Sequence, residues 1–99
     1  TPLYSSAASD VYKRQDITPI SNALDKVSSI SGNTFKWNKE THHEGEDTGI
    51  IAQEIEKLNL PGLTQTRDNG IKAVRYDKLV PLLIEAIKEL NDKVKSLEG

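Results

Sequence analysis

The densest group of metal-binding side-chain types is His42-His43-Glu44, followed closely by Glu46 and Asp47. Imidazole and carboxylate groups bind divalent ions when their spacing turns them toward one point. These residues adjoin one another instead, and neighbours in an extended segment project to opposite sides. No spaced ligand completes a shell, so the segment reads as a solvated loop, with no metal and no cofactor expected. Phe35 and Trp37 have the chemistry to stack on a sugar or a base. In a chain with one Trp, one Phe and three Tyr, they are expected to anchor the core. Gln53, following Ala52, suits either a backbone hydrogen bond in a packed site or ordinary strand polarity. Gly45, Gly49, Gly62 and Gly70 form no phosphate-binding loop. The chain has no Cys, which excludes disulfides, thiolate metal sites and thiol nucleophiles.

The elements that would position such residues must come from 99 residues of which 35% are apolar. That length suits one domain. The apolar share is low for a globular chain, and a small core usually needs a staple, a metal or a partner. With no Cys, self-association is the expected support. Thirteen basic and fifteen acidic residues give a net charge of −2. No basic patch points to nucleic acid. No apolar run approaches the ~18 residues of a membrane span, and no secretory signal pattern opens the chain. The absence of Met is read as the mark of a piece of a longer polypeptide. The absence of Cys fits a cytoplasmic or phage-particle protein.

Residues 1–15 are polar and aperiodic. They are read as a lead-in or, from Ser5 to Gln15, as a foreign cloning or sequencing scar; residues 16–99 are read as the domain. Thr18-Pro19 suits a helix start. Ile20, Ala23, Leu24, Val27 and Ile30 then recur at helical spacing, and Ser31-Gly32-Asn33 ends the helix. Residues 34–38 alternate as a strand with Phe35 and Trp37 on one face. A polar loop follows, then a strand over 48–53 and a short helix over 54–60, ended by Pro61-Gly62. Asn69-Gly70 predicts a hairpin turn, because both residues tolerate positive φ. Ile71 and Ala73 share one side of the second hairpin strand, Val74 and Tyr76 the other, which predicts a bulge or cover on both faces.

Asp77 is the expected cap of a last helix running from about residue 78 to 97. The first half of that helix is apolar nearly all round, and Pro81 falls in its first turn, where a missing N–H costs least. Beyond it, Val80, Leu83, Ile87, Leu90, Val94 and Leu97 keep a 4-3 spacing that continues from Tyr76. This is a heptad with Val or Ile at a and Leu at d. Past Ile87 only that narrow seam is apolar, so the helix is expected to leave the domain as a coiled-coil strand. Lys93 at g and Glu98 at the next e suit pairing between parallel chains. Such a seam favours two strands; over only about three heptads, the globular part can dictate three.

Gly49-Ile50-Ile51-Ala52-Gln53 and Tyr76-Asp77-Lys78-Leu79-Val80-Pro81-Leu82-Leu83 are the most specific strings. Asp16-Ile17-Thr18-Pro19-Ile20, Phe35-Lys36-Trp37 and Leu60-Pro61 stand in the same order around them. Over about residues 16–97 the chain resembles the C-terminal intramolecular chaperone domain of endosialidases and phage tail spikes and fibres. The resemblance implies an α+β fold: a short helix, a small antiparallel sheet with a hairpin, and a long C-terminal helix forming a trimeric coiled coil. It implies a homotrimer that templates the shaft upstream in the same polypeptide, a tail-fibre precursor of the virion folded in the host cytoplasm. It also implies release by self-cleavage before a Ser in a Ser-Asp-x-x-x-Lys motif, with the Ser hydroxyl as nucleophile and the Lys as its base. Here Ser9-Asp10 would place the cut at Ala8-Ser9. Arg14 holds the position of the Lys, Lys13 is one residue off, and Arg does not release its proton at usable pH. The expected protein is therefore a non-catalytic or formerly self-cleaving trimerisation chaperone. The alternatives are a receptor-binding fibre tip retained in the mature particle and a generic oligomerisation module.

Overall fold

A computed structural model describes residues 14–38 and 44–98. The described elements are α1 (Ala23–Ser28), β1 (Gly32–Lys36), β2 (Glu46–Ile50), α2 (Ala52–Glu56), β3 (Thr64–Thr66), β4 (Lys72–Val74) and α3 (Val80–Glu98), the last preceded by a 3-10 turn over Tyr76–Leu79. The fold is α+β, with short helices, antiparallel strands and a long C-terminal helix. The strands form two separate antiparallel ladders, β1 with β2 and β3 with β4, rather than one sheet.

Among the described residues seven apolar side chains are buried: Ala23 of α1, Ile55 of α2, Leu58, Leu63, Leu79, and Leu82 and Ala86 of α3. Ile20, Val27, Ile30, Ile50, Leu60 and Val74 pack around them. The core therefore sits between α1, α2 and the first half of α3, with the β3–β4 hairpin beside α2. No helix among the described residues is long and apolar enough to cross a membrane.

Several local expectations shift. The first helix begins at Ala23, not at Pro19. Asn22 before it is left-handed, with φ 52°, and its side chain makes no capping bond. Thr18 Oγ1 instead donates to the carbonyl of Asp16 at 3.3 Å. The second strand ends at Ile50, where the ladder runs out opposite Gly32. Ile51 is extended, with φ −93° and ψ 118°, and its carbonyl accepts from the N–H groups of Glu54 and Ile55. Helix α2 thus begins two residues earlier than the sequence suggests. Gln53 falls on its exposed side.

In the β3–β4 hairpin, Arg67 N donates to Ile71 O and Gly70 N to Arg67 O, both at 2.8 Å. Gly70 has φ 81°, whereas Asn69 is not in the positive-φ region. The loop is a three-residue connection with one left-handed glycine, the form that combines a type I turn with a bulge. Asp77 lies inside the 3-10 turn, whose preceding residue is Arg75. Pro81 is the second residue of α3, a position that requires no intrahelical N–H bond.

Candidate assembly surface

Helix α3 has 19 residues, about 28 Å at ~1.5 Å per residue. It carries two apolar stripes. Leu79, Leu82 and Ala86 face inward and are at most 9% exposed. Val80, Leu83, Ile87, Leu90, Val94 and Leu97 lie on another face, each between 45% and 88% exposed. Apart from Ile84, the near-continuous apolar run in the first half of the helix is the superposition of these two stripes. At about 100° per residue, their centres are roughly 90° apart around the helix. Residues 91–98 are all exposed, so the last two turns rest on none of the described residues.

The inward stripe ends in a polar contact. Glu89, one turn beyond Ala86, accepts hydrogen bonds from the backbone N–H groups of Ala23 at 2.8 Å and Leu24 at 3.1 Å. The free N–H groups of a helix start need an acceptor, and for α1 a carboxylate from α3 supplies it. These two bonds, with smaller contributions from Lys26 and Lys93, hold the Glu89 carboxyl below its ordinary value of 4.5, against the opposing effect of burial. A carboxylate whose pKa is lowered by folding adds stability above its unfolded pKa and loses it as pH falls through the folded one. Glu89→Gln is expected to lower the melting temperature by several degrees at neutral pH. The difference from the parent should shrink as pH drops below about 4.5. A difference that stays constant across that range in thermal melts followed by circular dichroism would show that the charge is idle.

A second carboxylate ties the other end of α1 to α2. Glu54 Oε1 accepts from Ser31 N at 3.0 Å and from Ser31 Oγ at 2.9 Å. Asn33 Nδ2 in turn donates to Ser31 Oγ at 2.9 Å.

Phe35 and Trp37 do share a face, with ring centroids 5.0 Å apart and an interplanar angle of 83°. They do not anchor the core. Phe35 is exposed and Trp37 half-buried, because the β1–β2 ladder turns this face away from α1 and α3. The two rings line a shallow groove with Gly49, Ile51 and Tyr76. Tyr76 Oη accepts from Ile50 N at 3.3 Å. Gly49 makes room for this approach: a Cβ there would lie 2.9 Å from Tyr76 Oη and 3.3 Å from Phe35 Cε1. Tyr76 stands one heptad step before Val80, so the exposed stripe of α3 runs on into the aromatic groove.

The structure thus brings all six heptad residues onto one open stripe. Ala8, Ser9 and Lys13 lie outside the described residues, as do His42 and His43; Arg14 is exposed. The contacts of Glu89, Glu54 and Gly49 are not legible in the sequence. The one local sign of the first is a carboxylate placed in line with Leu82 and Ala86 on an otherwise apolar face.

Residues 9–64 match the family described as chaperone of endosialidase, and the chain belongs to that family. It is 34% identical over 98 residues to the long tail fiber protein Gp37 of Enterobacteria phage K3, covering 92% of this chain and 8% of that protein. The corresponding protein of Enterobacteria phage T2 is also 34% identical, over 92% of this chain and 7% of its own length. That of Salmonella phage S16 is 32% identical, over 94% of this chain and 14% of its own. The chain therefore spans a small fraction of these relatives. No solved structure matches it.

Proposed function

We propose that the chain is an intramolecular assembly chaperone of a phage tail fibre, acting by association of three copies through the heptad stripe of α3. The observation that carries this reading is the open 4-3 stripe of Val80, Leu83, Ile87, Leu90, Val94 and Leu97 on a helix whose other stripe is already core. Six exposed aliphatic side chains in register on one face are costly in water and are relieved by a like face. Family membership and the tail-fibre relatives support the same role. The upstream shaft is the partner in the same polypeptide. Inter-chain β structure is rich in non-local pairings and slow to nucleate. Joining three C-terminal modules raises the effective concentration of the three shaft strands. The product is a component of the virion tail fibre, assembled in the host cytoplasm.

Mass-resolved sedimentation tests the association. A trimer is expected in the micromolar range, and a monomer at high micromolar concentration would sink the reading. A dimer would support the seam and overturn the stoichiometry.

Self-cleavage is a separate part of the proposal. Ser9 is the nucleophile by family resemblance, but Arg14 at the base position cannot take its proton. A chain extended upstream is therefore expected to stay intact in intact-mass measurements. Release of a fragment beginning at Ser9, abolished by Ser9→Ala, would show that another base serves. The assembly role rests on residues 16–97 and stands in either case.

A further inference from the structure

The heptad stripe does not account for all the exposed apolar surface on α3. Ile84, at the e position, is 51% exposed and lies about 40° around the helix from Val80, on the side away from the core. Ile17, 60% exposed, lines the same shallow depression, together with Pro19 and Pro81. This shelf is continuous with the stripe at Val80, and none of the described residues covers it.

In a parallel coiled coil the e residue of one helix faces the g residue one heptad back on the next. The pair Lys93 and Glu98 has opposite charge in that arrangement, which favours parallel copies in register. The same geometry brings Ile84 to the flank of Leu79 and Ala86. Those two g residues are only 9% and 4% exposed, so they are already covered by the core of their own chain. The element joined to α3 on that flank is α1, through Glu89 and Ala23. Lys26 of α1 lines the groove on the Pro81 side of α3. Leu24, two residues earlier and so about 200° away around α1, falls on the opposite flank, the side of the seam. It is half-buried and does not pack against the core cluster.

We infer that the shelf of Ile17 and Ile84 on one copy docks against α1 of the next copy, so that association involves the globular parts as well as the seam. This inference rests on the proposed association through α3 and adds its second contact. The partner is another copy of this chain, and each copy gives its shelf to one neighbour and its α1 to the other. In three copies the arrangement is heterologous and closes as a ring.

The test places a benzophenone side chain at position 84 of the full chain and irradiates a mixture of isotopically light and heavy copies. The expected product is a light–heavy adduct joining position 84 to residues 23–28, found by peptide mass spectrometry. Ile84→Asp is expected to weaken association at least about tenfold with circular dichroism unchanged. If the chain sediments as an oligomer but the adducts are absent, confined to one copy, or made to α3 of the neighbour, the shelf contact is overturned and the seam reading stands. If the unmodified chain sediments as a monomer, both fall.

Discussion

Leu90→Asp is expected to abolish association while leaving the globular part folded. Leu90 is half exposed in the single chain and is not one of the buried core residues, so the substitution removes little that holds α1 or α2. In the assembled seam each copy loses the burial of one leucine, worth about 2 kcal/mol. Each copy also brings a carboxylate into an apolar layer opposite its like. Across three copies the association constant should fall by roughly four orders of magnitude or more. Sedimentation should show a monomer at concentrations where the parent associates as proposed. Circular dichroism should retain most of the helical signal, with loss confined to the last turns of α3. Loss of all secondary structure would mean that the rod and the globular part are not separable.

Leu82→Ala is the opposite experiment on the same helix. Leu82 is fully buried, one of only seven core residues among those described. Removing three heavy side-chain atoms there loses transfer energy and leaves a cavity, together about 2–5 kcal/mol. Small domains have only about 5 kcal/mol of stability or a little more, so this one change should leave the isolated chain marginally stable at best, with a sharply lowered melting temperature. Its melting temperature should depend steeply on concentration, since the proposed association through the intact stripe would stabilise the folded state by mass action. A variant that melts as the parent does at low concentration would show that the inward stripe is not the core of the single chain. Eight residues separate Leu82 from Leu90, and one change acts on folding while the other acts on assembly.

The long helix and its heptad were legible because both follow from spacing within one segment. The two stripes of its first half were not separable from sequence. An apolar residue on a helix does not say which of two surfaces it will meet, and Leu82 and Leu83 differ only in direction. The start of α1 was misplaced for a related reason. Thr18-Pro19 is a good local signal, but the acceptor that caps α1 is Glu89, sixty-six residues away. Phe35 and Trp37 were correctly set on one face, since alternation is local. Their burial depends on what the ladder packs against, and no pattern within residues 34–38 carries that. The hairpin at Asn69-Gly70 was placed correctly, whereas its turn type was decided by the Arg67–Ile71 pairing around it. The six seam residues were read from spacing alone; Glu89, Gly49 and the Ile17–Ile84 shelf emerge only when distant segments meet.

Helix α3 passes from its packed half to its open half with no glycine or proline after Pro81. It therefore contains no hinge, and the two halves are locked in phase. The direction in which the globular part sits around the rod is set by residue count, at about 100° for each residue between the two stripes. Deleting one residue between Ala86 and Leu90 would leave the helix intact but rotate the outer seam by that angle against the globular part. Adding a whole heptad would preserve the phase to within about 20°. In the proposed assembly the helix is thus a key as well as a rod: its length sets the azimuth of each globular part around the common axis.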